Sequence, residues 1–207
     1  MSEAGKVFKN NIWDNNPILI QILGICSTLA VTNALTNTFI MTIGVSLVTA
    51  LSSFTISVIK TLIPRKVRMI VQVLVIAFFV IIVDMVLKAV APEISKSLGP
   101  YVGLIITNCI IMGRAEAYAQ SNPPLMSFWD GLTSGLGYMA VLMLIAFVRE
   151  LLAFGSLFGI RVLPMEFTAG GFNWTIMVMA PSAFFLVGIL LWLTKTVMLK
   201  SQKGGDK

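Results

Sequence analysis

The sequence predicts an all-α integral membrane protein with six transmembrane helices. Hydrophobic residues make up 57% of the chain and charged residues only 12%, whereas soluble domains are about half apolar and about a quarter charged. Several apolar stretches reach the roughly 20 residues that cross a bilayer as a helix. None shows the strict apolar–polar alternation that is typical of a membrane β-barrel. The mean hydropathy of +0.91 agrees with this class.

Six apolar stretches are separated by short connections that contain proline, glycine and charge. The stretches cover residues 18–35, 38–59, 69–91, 101–119, 131–153 and 176–198. Proline residues interrupt the helical pattern between them, at Pro64, Pro92, Pro100, Pro123 and Pro124. The longest connection, 154–175, contains several aromatic residues, so we expect a structured loop that lies on the membrane surface.

The chain is interpreted as one membrane domain, residues 1–207, built from two halves. Residues 18–91 contain three segments and residues 101–198 contain three more. Because each half has an odd number of spans, such a repeat is inverted across the membrane. The first segment of each half has one cysteine near its middle, and the surrounding glycine, threonine and asparagine residues permit a broken helix there.

The distribution of Lys and Arg predicts the orientation of the chain. With six spans both termini lie on one side, and that side contains Lys6, Lys9, Lys60, Arg65, Lys66, Arg68, Lys195, Lys200, Lys203 and Lys207. The other side contains only Lys88, Lys96 and Arg161. The positive-inside rule then predicts that both termini are cytoplasmic. The net charge of +6 is therefore interpreted as an orientation signal and not as a nucleic-acid-binding surface.

The residue types exclude several functions within this chain. The sequence contains no His, which excludes histidine-ligated haem and a Ser-His-Asp triad. No nucleotide-binding loop or activated nucleophile is recognisable. We expect this chain to bind no flavin, haem or nucleotide.

Cys26 and Cys109 are the candidate ligands of a metal site. Thiolates in a dry site favour an iron–sulfur cluster, zinc or copper(I) over a hard cation. A cluster usually takes four cysteine ligands, and this chain has two cysteines, so a partner would have to supply the others. Two inert apolar cysteines, or a disulfide between them, are the alternatives.

Ionisable residues inside the predicted spans are the other candidates for a functional role. Asp84 and Lys88 lie four residues apart, so they either pair on one helix face or place Asp84 on a sodium path. Arg114 lies one turn beyond Cys109, where its charge could raise the potential of a cluster. A local ion pair of Arg114 with Glu116 is the alternative.

Motifs throughout the chain resemble those of a known family. The residues around the two cysteines resemble the paired-cysteine membrane subunits of the sodium-pumping NADH:quinone oxidoreductase and of the related Rnf electron-transport complex. These residues are Leu23-Gly24-Ile25-Cys26, Thr107-Asn108-Cys109-Ile110 and Met112-Gly113-Arg114-Ala115-Glu116. Further matching runs include Gly135-Leu136-Gly137-Tyr138 and Arg149-Glu150. The runs at 162–164 and 180–185 favour the sodium pump over Rnf.

The resemblance implies six transmembrane helices in an inverted repeat and a [2Fe–2S] cluster shared with a sister chain, the E subunit, in a six-subunit complex. Cys26 and Cys109 match the ligand positions of the family motif. The chain would relay electrons across the bacterial inner membrane, as a subunit that is not catalytic alone, in a translocase that oxidises NADH, reduces ubiquinone and exports sodium. The equivalent Rnf subunit and, from a different class, a secondary transporter or channel subunit are the alternatives.

Overall fold

A computed structural model gives the fold of the chain. It describes residues 7, 11, 18–32, 34–90, 92, 96, 99–154, 156–157, 160–161 and 179–204. Within these residues the structure is almost entirely helical, as the sequence predicts. The helices are α1 (Ile25–Val31), α2 (Leu35–Ile59), α3 (Arg68–Val90), α4 (Val102–Ile106), α5 (Cys109–Arg114), α6 (Pro124–Phe154) and α7 (Ala180–Gly204). A 3-10 turn, Gly99–Tyr101, precedes α4, and a π-helical turn, Ala115–Ala119, extends α5.

Three of these helices are long and apolar enough to cross a membrane. They are α2, α3 and the part Pro124–Leu151 of α6. At 1.5 Å per residue the two shorter ones each extend over roughly 35 Å, which exceeds the roughly 30 Å of the hydrocarbon core. The apolar part of α7, Pro181–Val197, is shorter. The part of the chain that the structure describes is thus an almost entirely helical membrane protein with three clear apolar spans.

Helices α2 and α6 pack against each other along most of their length and form the centre of the molecule. Their contacts join Leu35 to Glu150, Ser46 to Gly135, Ala50 to Gly131, and Ser57 to Asn122 just before α6. Residue numbers rise along α2 as they fall along α6, so the two helices are antiparallel. Small residues line the contact, which lets the two backbones approach closely.

Helix α3 lies at the periphery. In the most apolar 18-residue stretch of each helix, 61% of the stretch is buried inside the protein in α2, but only 17% in α3. Large apolar side chains of α3 are exposed, among them Met69, Ile70, Leu74, Phe78, Ile81, Met85, Val86 and Val90. A helix that is apolar on all sides suits a membrane environment, so this face is available to lipid or to a neighbouring subunit.

Two of the six predicted segments are interrupted, and these are the two that contain a cysteine. Residues 18–24 form a turn and a non-helical stretch before α1, and the chain leaves the helical conformation between α1 and α2. Residues 107–108 separate α4 from α5. The break predicted near Cys109 is therefore present, whereas Cys26 lies in the first turn of a helix that follows a turn and not another helix. The non-helical residues 22–24 and 107–108 are termed the two breaks. In the assembled fold α1 contacts α7, and α4 contacts α3.

The boundaries of the fifth segment differ from the prediction. The helix begins at Pro124, well before the predicted start at residue 131. Proline is favoured in the first turn of a helix because its missing N–H would lack an intrahelical partner there in any case. The N–H of Ser127 donates to the carbonyl oxygen of Pro123 at 3.0 Å, so the first helical hydrogen bond already forms at this point.

A short hairpin follows α6. Strands β1 (Ser156–Leu157) and β2 (Ile160–Arg161) pair antiparallel, with Ser156 opposite Arg161. Most of the predicted surface loop, 154–175, lies outside the described residues.

Gly135→Ala is expected to destabilise the protein. A Cβ at this position would lie 2.6 Å from Ser46 Oγ and 2.7 Å from Ser46 Cα, and overpacking of this kind costs about 1–3 kcal/mol. The detergent-solubilised variant should therefore unfold at a lower temperature. Gly188→Ala is the matched control, because no described atom lies within 4 Å of the position of its Cβ. Equal melting temperatures for the two variants would contradict the close packing of α2 on α6.

Candidate metal centre

The first helix break is organised around the carbonyl group of Gly24. Gly24 has a φ of 80°, a left-handed conformation that glycine adopts without strain. Its carbonyl oxygen accepts hydrogen bonds from Thr28 N at 3.1 Å, Ser27 Oγ at 2.8 Å and Thr28 Oγ1 at 2.9 Å. These donors satisfy the carbonyl oxygen without water, as a position inside a membrane would require. Helix α1 then begins, with Cys26 in its first turn.

Gly24 also allows the two broken segments to touch. A Cβ at this position would lie 2.9 Å from Ile110 Cδ1 and 3.1 Å from Tyr138 Cε2. On the other segment, a Cβ on Gly113 would lie 2.9 Å from Leu23 Cδ1. A glycine on each side therefore brings the two segments into direct contact.

The second break lies between the end of α4 at Ile106 and the start of α5 at Cys109. Asn108 has an extended backbone conformation, and its Oδ1 accepts a hydrogen bond from Ile110 N at 3.1 Å. A side-chain cap of this kind satisfies one of the free N–H groups at a helix start. Cys109 is consequently the first residue of α5, just as Cys26 lies in the first turn of α1.

The fold brings Cys26 and Cys109 together. Both are free thiols at the exposed surface of this chain, and no disulfide joins them. Their side chains are close enough to interact directly, and the backbone N–H of Ser27 faces the Cys26 sulfur. Among the described residues, no three His, Cys, Asp or Glu side chains form a metal-binding group. Two adjacent soft ligands on an outer face fit an iron–sulfur cluster whose coordination is completed from outside the chain.

Tyr138 of α6 lies behind the cysteine pair and is not among the site residues that the sequence predicts. Its side chain is fully buried, and its hydroxyl donates a hydrogen bond to Ser27 Oγ. The side chain of Asn108 lies within interaction range of the same hydroxyl. The sequence signals for Tyr138 are the phenol, a polar group in an apolar segment that needs a buried partner, and its place in the matching run Gly135-Leu136-Gly137-Tyr138.

Arg114 pairs with Asp130, so the local pair with Glu116 that the sequence offers as an alternative is wrong. Arg114 Nε donates to Asp130 Oδ2 at 2.9 Å, and Arg114 Nη2 also contacts Asp130 Oδ1. Asn11 completes the cluster, with its Nδ2 2.8 Å from Asp130 Oδ1 and its Oδ1 3.0 Å from Arg114 Nη2. All three side chains are buried.

Glu116 contacts α3 instead. Its carboxylate accepts hydrogen bonds from Arg68 and, at 2.9 Å, from Gln72 Nε2. Residues two apart on a helix do not face each other, which is why Glu116 and Arg114 find different partners. The two pairs tie the end of the α5 segment to the start of α3 and to the start of α6.

Asp84 pairs with Lys88, as the local interpretation predicts. Lys88 Nζ donates to Asp84 Oδ2 at 2.6 Å, and the Lys88 side chain is 63% exposed. Asp84 also borders an otherwise apolar groove of about 390 Å³ between α2, α3 and α4. A place for Asp84 on a sodium path stays a prediction.

Arg149 and Glu150, near the end of α6, bind the two sides of the gap between α1 and α2. Glu150 Oε2 accepts a hydrogen bond from Leu35 N at 2.6 Å, which puts a negative charge at the start of α2, where the helix dipole favours it. Arg149 donates to Thr32 Oγ1 at 2.6 Å and to the carbonyl oxygen of Met179 at 3.2 Å. These contacts join the end of α1 to the start of α7.

Comparison with known proteins identifies the family. A family profile described as "Rnf-Nqr subunit, membrane protein" matches residues 4–191. The chain belongs to the Rnf-Nqr family. Three relatives, from Yersinia enterocolitica, Yersinia pestis and Yersinia pseudotuberculosis, are named as the D subunit of the Na(+)-translocating NADH-quinone reductase. Each is 53% identical over 196 residues, which cover 94% of this chain and 94% of the relative. The resemblance that the cysteine motifs indicate is thus confirmed.

Arg114→Met is expected to destabilise this Rnf-Nqr protein strongly, because it leaves the buried Asp130 carboxylate without its cation. Breaking one side of a buried ion pair costs about 3–5 kcal/mol, whereas an exposed pair contributes about 0–1 kcal/mol. The matched control is Lys88→Met, which removes the exposed partner of Asp84; the Asp84 side chain is 17% exposed, against 1% for Asp130. In thermal unfolding of the solubilised protein, a loss for Arg114→Met no greater than that for Lys88→Met would contradict the buried pair.

Proposed function

We propose that the chain acts as the D subunit of a Na(+)-translocating NADH-quinone reductase, a membrane-bound translocase complex. The observation that carries this proposal is the 53% identity to relatives of that name across 94% of both chains. The three apolar helices of membrane-spanning length agree with a membrane subunit. The same relatives favour the sodium pump over Rnf, and the runs at 162–164 and 180–185 favour the D subunit over its sister, the E subunit.

In this proposal Cys26 and Cys109 provide half of the ligands of a [2Fe–2S] cluster. The two thiols are free, adjacent and exposed at the surface of the chain. The N–H of Ser27 faces the Cys26 sulfur, and backbone N–H groups suit an anionic cluster. Such a cluster, when bound, takes up and releases one electron at a time. NADH oxidation and quinone reduction then belong to other subunits of the complex.

The sister E subunit supplies the other two cysteine ligands in this proposal. A [2Fe–2S] cluster takes four ligands, and the described part of this chain offers two. Ile20 and Ile22, which precede Cys26, are exposed by 38% and 54%, and exposed apolar side chains beside the thiols suit an interface with a partner helix. The cluster would therefore be shared between two chains of a six-subunit complex.

The helix arrangement supports six spans in two inverted halves. The second helices of the two halves, α2 and α6, are antiparallel, as inversion requires. The first segment of each half packs on the last helix of the other, since α1 contacts α7 and α4 contacts α3. With the Lys and Arg distribution, this favours a multi-pass protein of the bacterial inner membrane with both termini in the cytoplasm.

The chain relays electrons through the membrane in this role, and their passage is coupled to sodium export. Asp84 retains its hypothesised place on the ion path, and the sequence suggests Arg114 as a positive charge one turn beyond Cys109. The carboxylate of Asp130 against Arg114 offsets much of that charge. It therefore weakens the case for Arg114 as a group that raises the potential of the cluster.

Cys26→Ala and Cys109→Ala are each expected to cost the co-purified complex about two irons, the content of one [2Fe–2S] cluster. The measurement is iron and acid-labile sulfide analysis of anaerobically purified complex. Met85→Leu is the matched control, because it removes an exposed sulfur from α3 and should leave the iron content at the wild-type value. Wild-type iron in both cysteine variants would contradict the cluster and favour a transporter or channel protein on the same scaffold.

A further inference from the structure

Three polar side chains lie where the two cysteine-bearing breaks meet. Ser27 follows Cys26, Asn108 precedes Cys109, and Tyr138 reaches the same place from α6. All three are fully buried. Buried polar groups in a membrane protein are costly unless they are paired, so their convergence on one point requires a physical reason.

A hydrogen-bond chain runs from α6 to the first break. The hydroxyl of Tyr138 donates to Ser27 Oγ, and Ser27 Oγ donates to the carbonyl oxygen of Gly24 at 2.8 Å. The Tyr138 ring packs against Gly24 as well, since a Cβ there would lie 3.1 Å from Tyr138 Cε2. One rigid side chain therefore holds the turn that precedes Cys26 through two separate contacts.

The same phenol also faces the second break. The Asn108 side chain lies within interaction range of the Tyr138 hydroxyl. Its Oδ1 is engaged as the cap of Ile110, while its Nδ2 is buried with no hydrogen-bond partner in the described part of the chain. Tyr138 also lies near enough to Cys26 and Cys109 to feel charge on either sulfur. The Tyr138 side chain therefore contacts or lies near both breaks and both cysteines.

We infer that Tyr138 is a positioning residue for the cysteine pair, acts through Ser27, and sets the reduction potential of the metal centre. This inference rests on the cluster proposed above. Groups outside the ligand set orient the ligands and tune the metal, and hydrogen bonds and local polarity shift the potentials of iron–sulfur clusters. Reduction adds negative charge to the cluster, so the hydroxyl dipoles beside it and the position of the Cys26 sulfur both affect its potential. Loss of the phenol hydroxyl should therefore shift the potential.

The test compares Tyr138→Phe, which keeps the ring but removes the hydroxyl, with Tyr101→Phe. Tyr101 lines the groove between α2 and α3, so its variant removes a phenol hydroxyl elsewhere in the same chain. Both are purified as the complete complex and titrated with dithionite. The electron paramagnetic resonance signal followed is the one that is absent from the Cys26→Ala complex.

We expect Tyr138→Phe to retain wild-type iron but to show this signal at a midpoint potential shifted from the wild-type value, while Tyr101→Phe keeps the wild-type midpoint. A Tyr138→Phe complex with full iron and the wild-type midpoint would overturn the inference. A shift of the same size in Tyr101→Phe would overturn it too, because the effect would then not depend on the contact with Ser27.

Ser27→Ala tests the same contact from the other side. It should shift the midpoint in the same direction, and the double variant with Tyr138→Phe should shift it less than the sum of the two single shifts, because the residues act through one hydrogen bond. Additive shifts would contradict a shared contact. If Tyr138→Phe does not assemble, a Ser27→Ala complex with full iron and the wild-type midpoint still overturns the inference. A wild-type complex with no signal that depends on Cys26 would instead remove the proposed cluster itself.

Discussion

A helix that is interrupted inside a bilayer must satisfy its freed backbone groups from within the protein, because hydrocarbon offers no hydrogen bonds. At the first break the hydroxyls of Ser27 and Thr28 bond to the Gly24 carbonyl, and at the second the Asn108 side chain caps Ile110. Each cysteine lies in the first turn of the helix that resumes. The hydrogen bonds that satisfy the backbone groups at each break therefore also determine the position of the cysteine sulfur that follows it.

The buried charged side chains near both ends of α6 also find their partners within the protein. Glu150 bonds to the first N–H of α2, and Arg149 bonds to Thr32 at the end of α1, so the pair bridges a gap in the chain. At the other end of the α2–α6 pair, Arg114 and Asp130 join the α5 segment to the start of α6. Ionisable residues within membrane segments invite a functional interpretation, but these ones hold segments together. The glycine contacts between α2 and α6 keep both ends in register.

The sequence predicts the helical class and the helix break beside Cys109 because both depend on local signals. Apolar length gives the spans, and glycine, threonine and asparagine beside Cys109 mark the interruption. The partner of Arg114 is not predicted, since Asp130 lies 16 residues away and Glu116 is nearer in sequence. Tyr138 is missed for the same reason, because its contact with Ser27 joins residues 111 apart. Contacts of this kind depend on how the helices cross, which a single sequence does not encode locally.

In the proposed function, the two breaks place half of a ligand set on a face that another subunit completes. The most direct test is a cryo-electron microscopy map of the assembled complex at a resolution that separates metal from side chain. We predict one cluster bonded to the sulfur atoms of Cys26 and Cys109 and to two cysteines of a neighbouring chain. Both thiols packed against lipid or protein, with no metal density between the chains, would contradict it.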